Sequence, residues 1–307
     1  MVSRYSSQTA VQVARVLVWL SHQPRLAPLL PKGSAESTER LLLQEGLLIP
    51  WLLWLFDAPW YGRLLTSIEQ HTVPGQMLVV GLRKRFMDDE TRAALARGVR
   101  QVLVVGAGLD TLCWRLTSEY PETTFVEADH PATQAVKRRA LEGLGGLPRN
   151  LHLLPVDLVR TPLDKALRGL PVWQTEAPSV VVAEAVLMYL EEASVLAFLE
   201  AVRRCTGPES RLLLTCIREG TYGGAKKERG ARWFMELGLQ LMGEPIRWRI
   251  REEALRGFLA RHGFRPEDSP ERVDLHRRYL VPAGLSELSA EGFEFPAVAE
   301  KAGPPLI

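Results

Sequence analysis

Gln101-Val-Leu-Val-Val-Gly-Ala-Gly-Leu-Asp-Thr111 is the stretch whose reading decides the fold. Val102 to Val105 form a short, continuous aliphatic run, which suits a strand covered on both faces. Gly106 and Gly108 follow at once, and glycines directly after a first parallel strand let a ligand approach the backbone closely. A dinucleotide fingerprint would need a third glycine at position 111, which holds Thr111. Asp110 is ill placed for a pyrophosphate and well placed for a cationic ligand. The glycine pair alone is weak evidence, because an ordinary strand-to-helix turn uses it too.

Downstream the pattern repeats. Thr124-Phe-Val-Glu-Ala ends at Asp129, Leu151-His-Leu-Leu-Pro-Val at Asp157, Val180-Val-Val-Ala at Glu184, and Arg211 to Ile217 follows. Helix signals lie between these runs. In the clearest, Glu191 to Cys205, acidic residues open the segment, Arg203 and Arg204 close it, and Gly207-Pro208 stops it. Strands alternating with helices predict an α/β chain with a doubly wound parallel sheet. Ligands of such sheets sit beyond the carboxyl ends of the strands, where Asp129, Asp157 and Glu184 would line one crevice. Asp129 lies 129 − 106 = 23 residues past Gly106, near the ~20-residue offset at which an acid meets ribose hydroxyls. Each acid alone would pass as a helix cap or a loop residue.

The flanks read differently. Up to about residue 77 the chain is helical in pattern, with Val11, Ala14, Val18 and Leu20 at helix spacing before Pro24 and a capping candidate at Ser37 or Thr38. Leu41 to Tyr61 holds Trp51, Trp54 and Trp60. We expect this segment, with an insert at about 220–245, to cover an apolar acceptor pocket, or else simply to pack the cap onto the sheet. Helices are expected at 231–242 and 252–262, and a Gly-, Ser-, Glu- and Pro-rich tail over 284–307 is expected to pack loosely or against a partner. The organisation is thus a cap at 1–77, a core at 78–283 and a tail.

Composition narrows the function. The 307 residues carry 38 Lys and Arg against 36 Asp and Glu, a net charge of +2, with no basic cluster. Nucleic acid is not suggested as a partner. Cys113, Cys205 and Cys216 are odd in number and not in metal-ligand spacing, and no metal is expected. The longest apolar stretch, Leu41 to Phe56, is interrupted by Gln44, Glu45 and Pro50, so no membrane span is expected. With no secretory signal evident, a soluble cytoplasmic protein is the expectation. A homo-oligomer is compatible with all of this.

Further motifs carry a resemblance. Arg83-Lys-Arg-Phe-Met-Asp88-Asp89, the stretch 101–111 with Arg115-Leu116, and Glu127-Ala-Asp129-His-Pro131 with Lys137 come first. Asp157-Leu158, Glu184-Ala-Val-Leu-Met-Tyr189-Leu190 and Gly243-Glu-Pro245 follow in order. In these the chain resembles the leucine carboxyl methyltransferase family of S-adenosylmethionine-dependent class I methyltransferases, from about Pro74 to Phe264. The resemblance implies a mostly parallel seven-stranded, Rossmann-like sheet with an insert after the fifth strand, and S-adenosyl-L-methionine as cofactor. It implies that Arg83 grips the methionyl carboxylate, that Gly106 and Gly108 give backbone room, and that Asp129 takes the ribose hydroxyls. Asp157 and Leu158 would flank the adenine, Glu184 would meet the methionyl ammonium, and Tyr189 would face the acceptor as the catalytic candidate. A guanidinium forks a carboxylate and a carboxylate suits an ammonium. Leu112, where many relatives carry arginine, and Ala128 depart from the pattern, and Lys32 matches no cofactor lysine.

The expected chemistry is in-line methyl transfer, in which the protein mainly aligns donor and acceptor. A carboxylate acceptor is already ionised at neutral pH and needs no base; a small-molecule carboxylic acid therefore leads, as in secondary metabolism. A hydroxyl acceptor would need a base, with His130 or Tyr189 the first suspects, although His130 reads as a helix-start residue. A protein C-terminal carboxylate is a further reading, and a non-catalytic cofactor-binding protein is disfavoured by the intact charges.

Overall fold

The computed structural model describes residues 7–72, 75–219, 240, 243–267, 273–290 and 292–302. The five aliphatic runs form β1 (Gln101–Val105), β2 (Thr124–Asp129), β3 (Leu151–Pro155), β4 (Val180–Ala183) and β5 (Arg211–Ile217). Every residue of β1 and β4 is buried, as a strand covered on both faces requires. Two further strands, β6 (Phe264–Pro266) and β7 (Glu294–Lys301), complete a seven-stranded sheet in the order β3-β2-β1-β4-β5-β7-β6. The first five pair in parallel; β7 runs antiparallel to β5 and to β6.

β7 corrects the reading of the tail. Residues 294–301 do not pack loosely but pair along the whole of β5, from Arg211 with Glu300 to Ile217 with Glu294. Pro296 hid the strand, because proline cannot donate to a ladder and argues against a central position. It is tolerated here because β6 reaches only residues 299–301, so at Pro296 β7 has one strand neighbour. A wide helical turn, His276–Leu280, buries Tyr279 and Leu280.

Ten helices are described. α1 (Gln8–Ser21), α2 (Ser34–Gln44), α3 (Leu53–Asp57) and α4 (Pro59–Thr72) form the N-terminal region. α5 (Gln76–Ala96) leads into the sheet; α6 (Leu112–Leu116), α7 (Pro131–Gly143), α8 (Leu163–Arg168), α9 (Glu192–Cys205) and α10 (Glu252–Arg261) cover it. α9 and α10 fall where their periodicity places them. The helix expected at 231–242 lies almost wholly outside the described residues, as does most of the insert. α2 starts earlier than expected: Gly33, at φ +72°, precedes it, and Ser37 and Thr38 lie inside the helix. Gly33 reverses the chain there, where a side chain would be strained.

Two apolar layers sandwich the sheet. On one face Leu103, Val105, Val181, Leu212 and Leu214 pack with Phe198, Leu199 and Phe258. On the other, Val102, Val104, Val180, Val182 and Leu213 pack with Leu82, Phe86 and Leu116. α1 and α2 build a third cluster around Leu17, Val18, Leu41 and Leu42, with Leu109 and Ala140 of the core joining it. The cap is therefore welded to the loop after β1. No described helix is long and apolar enough to cross a membrane.

Candidate active site

β1 is flanked by β2 on one side and β4 on the other, so the direction of winding reverses between β1 and β4. A crevice opens at such a switch point, beyond the carboxyl ends of the strands. Here it is a cleft of about 520 Å³, roofed by Ala10, Val13, Ala14 and Leu17 of α1, a size suited to a small molecule. All nine residues singled out from sequence line it: Arg83, Gly106, Gly108, Asp110, Asp129, Asp157, Leu158, Glu184 and Tyr189.

The floor is shaped by backbone. Gly106 sits at φ +65°, its N–H donating to the Ala128 carbonyl at 2.8 Å. A Cβ on Gly106 would stand 1.9 Å from Val186 Cγ2, so the position excludes any side chain. Opposite, Ala185 also adopts a positive φ, 53°, with its N–H donating to Thr215 Oγ1 at 2.8 Å. Left-handed backbone at a residue other than glycine costs of order 1–3 kcal/mol and marks strain held by its surroundings. That turn carries Glu184 and Val186 over the glycine loop.

The acids divide by function. Asp129 accepts hydrogen bonds from the N–H groups of Gly108 and His130, both at 2.5 Å. Burial pushes its carboxyl up, and those two donors pull it partly back. His130 caps α7, its Nδ1 accepting from Ala132 N–H at 3.3 Å, the helix-start role read from sequence. Asp157 accepts from Val159 N–H at 3.0 Å, holding the loop that presents Leu158.

Deeper in, a charge network links four elements. Arg83 Nε donates to Glu184 Oε1 at 2.8 Å, and its Nη1 pairs with Glu294 of β7. Lys84 donates to Glu184 Oε2 at 3.0 Å and to Asp110 Oδ2. Burial alone would lower both cations, yet Glu294 and Glu184 hold Arg83 above its ordinary value, and Asp110 and Glu184 do the same for Lys84. Burial would raise Asp110, but Lys84, then Lys137 and the Leu112 N–H, pull its carboxyl well below the usual range. Within the chain Asp110 pairs with Lys84, and both line the cleft. Beneath lies a closed pair, Lys137 with Glu127, each 1% exposed, in which Lys137 also donates to the Asp110 carbonyl.

At the other end Tyr189 closes a single helical turn, Leu187–Tyr189. Its hydroxyl lies beside that of Thr9, and among the described residues neither makes a well-formed hydrogen bond. Burial raises the phenol, and the charges of Glu294 and Glu244 raise it further, so it stays protonated. Glu244 in turn accepts from the Thr9 N–H at 3.3 Å, at the start of α1.

Lys84, Glu294, Glu244 and Thr9 were not singled out from the sequence. Lys84 and Glu244 stand inside quoted motifs, so a signal existed. Glu294 lies in the strand hidden by Pro296, and Thr9 in a helix read only as cap. The tryptophans correct an expectation: Trp51, Trp54 and Trp60 neither line the cleft nor pack the cap onto the sheet but are exposed. α1 supplies the roof instead.

The leucine carboxyl methyltransferase family profile matches residues 51–203, which hold the glycine loop, Arg83, Asp129, Glu184 and Tyr189. The chain is similar to this family over 153 of its 307 residues. Its relatives include a Mycobacterium tuberculosis (strain H37Rv) protein, 34% identical over 151 residues, named as a candidate S-adenosyl-L-methionine-dependent methyltransferase. That match covers 48% of this chain and 42% of the relative, so the chain spans less than half the length of the curated relatives first matched. A second, from Mycobacterium bovis (strain BCG Pasteur) and of the same description, is 28% identical over 222 residues, covering 67% of this chain and 70% of the relative. Among solved structures, a duf574 family protein from Streptomyces avermitilis superposes with TM-score 0.59 at 16% identity, over 79% of this chain and 91% of that one. A candidate methyltransferase from Thermobifida fusca gives 0.54 at 15%, over 79% and 89%. These two share the fold of this chain.

Proposed function

We propose that the chain is an S-adenosylmethionine-dependent O-methyltransferase acting on a carboxylate of a small molecule. The observation that carries the reading is the side-chain-free floor at Gly106, set between Asp129 on one side and the Arg83–Glu184 pair on the other. The donor set suits the cofactor. Arg83 spends Nε and Nη1 on carboxylates and keeps further N–H groups to fork another. Glu184 uses one lone pair on each oxygen and can accept from an ammonium. Asp129 has lone pairs left for ribose hydroxyls, and Leu158 offers an apolar face for a base.

When bound, the cofactor supplies an electrophilic sulfonium methyl group. The chain's own residues then orient and exclude water: α1 closes the cleft, and the apolar side chains of Val13, Ala14 and Leu17 keep it dry. Tyr189 and Thr9 offer two neighbouring buried hydroxyls, and a carboxylate acceptor would take a hydrogen bond from each. Tyr189, held protonated, donates; it is no base. With His130 serving as a cap, an acceptor that arrives ionised fits this end. A hydroxyl acceptor is the second reading, and Glu244, which lines the cleft and acts on Tyr189 electrostatically, would take its proton.

Calorimetry with S-adenosylmethionine and with NAD tests the cofactor; binding of NAD in its place overturns the reading. Asp129→Ala should abolish cofactor binding with the fold retained. A panel of carboxylic acids and phenols, scored by methyl transfer, separates the two acceptors. Tyr189→Phe should lower kcat by about 10-fold or more while leaving cofactor affinity unchanged.

A further inference from the structure

Outside the cleft, the most unusual surface is apolar. Trp51, Trp54 and Trp60 are 62%, 55% and 52% exposed, and Ile49, Leu64 and Ile68 are exposed with them. They sit on the turn Pro50–Leu52, α3 and α4, consecutive elements that pack on one another. Trp60, Leu64 and Ile68 follow at i, i+4 and i+8 on α4, which sets them in one row along the helix. The inner side of α4 is anchored: Tyr61 stacks on Phe56 at 6.1 Å between ring centroids.

We propose that this face is the interface of a two-fold symmetric homodimer, α4 packing against α4 of a second copy. Area supports it. With tryptophan side chains of order 200 Å² each and the aliphatic ones somewhat less, the exposed parts come to about 600 Å² per copy. That equals or exceeds the largest apolar patch of a typical monomer, ~300–600 Å². Doubled, it reaches the lower bound of a specific interface, about 1,200 Å² in total. Charge supports it too. Over residues 49–70 the chain carries one arginine, Arg63, no lysine, and two acids, Asp57 and Glu69. An anionic lipid surface would call for a basic cluster, and a strongly charged partner for one sign. A nearly neutral face, with Asp57 already paired with His22 at 2.8 Å and Arg63 the one cation of its row, suits a copy of itself better than a strongly charged partner. The i, i+4 row is the ridge that packs against its like between helices.

The test uses the full-length protein. Sedimentation equilibrium from about 1 to 100 μM should show a monomer–dimer equilibrium, with tryptophan emission shifting to the blue as dimer forms. Trp60→Glu with Leu64→Glu should weaken association by about 100-fold while the monomer stays folded by circular dichroism. Two carboxylates on one helix face add strain to α4, so Leu64→Cys provides a milder probe: mid-row and near the two-fold axis, it should form an intermolecular disulfide on mild oxidation. A monomer throughout the range overturns the proposal. So does a dimer that survives the double substitution without loss, or a monomer that co-sediments with phosphatidylcholine or phosphatidylserine vesicles.

Discussion

Removing the ammonium of Lys137 should unfold the site from beneath. The pair with Glu127 is 1% exposed on both sides, and Asp110 and Asp129 press on Glu127 with like charge. In Lys137→Met, Glu127 escapes an unpaired buried charge by taking a proton. Holding that proton at pH 7 means working against ~2.7 units above a reference value near 4.3, which costs about 3.7 kcal/mol at 1.36 kcal/mol per unit. The lost bond to the Asp110 carbonyl adds about 1 kcal/mol. The expected loss is therefore about 4–5 kcal/mol at pH 7, in the range for breaking a buried pair. Its pH signature is specific. A carboxyl whose folded pKa is raised binds its proton more tightly when folded, so stability falls as pH climbs from the unfolded value toward the folded one. At pH 5 the protonation cost is only about 1 kcal/mol, and the variant should regain about 3 kcal/mol relative to wild type. Urea unfolding at the two pH values, followed by fluorescence and circular dichroism, measures both. Lys137→Met with Glu127→Leu should return most of the stability at pH 7, since an apolar pair of similar volume replaces the ionic one. A loss under about 1 kcal/mol at pH 7, or one independent of pH, would refute the reasoning.

Gly106→Ala should cost at least about 1–2 kcal/mol from its positive φ alone and displace Val186, 1.9 Å from the new methyl. Adding Val186→Ala should return part of the stability in thermal unfolding without removing the φ cost. The three cysteines are buried, and burial pushes the Cys205 thiol up to about 12 and raises Cys113 and Cys216 as well. A thiol reagent at pH 8 should therefore label none of them in the folded chain within minutes and all three in denaturant. Trp51→Leu and Trp54→Leu should leave acceptor KM unchanged, because neither side chain lines the cleft; a several-fold rise would restore the pocket role assigned to them from sequence.

Local chemistry was enough to place most of the site. β1 through β4 are short aliphatic runs closed by glycine or acid, and in a parallel sheet every such end faces the same crevice, so Gly106, Asp129, Asp157 and Glu184 meet wherever such a sheet forms. The family motif added Arg83 and Tyr189. What single residues could not show was who partners whom. That Lys84 binds Asp110 and Glu184, and that Arg83 is held by Glu294 from 211 residues away, depends on β7 crossing beside β5. Its proline and acids conceal it until the neighbours are known.

By itself, then, the chain determined the sheet, its winding and the acids at its rim, because strand periodicity and strand-end residues are local properties. The tertiary structure decided the rest. It put α1 rather than the tryptophans over the cleft and made β7 a strand. It also set Asp110 beside Lys84 on the wall of the cleft. Each is a long-range contact whose free energy depends on desolvation and charge among residues distant in sequence, and no local pattern encodes that.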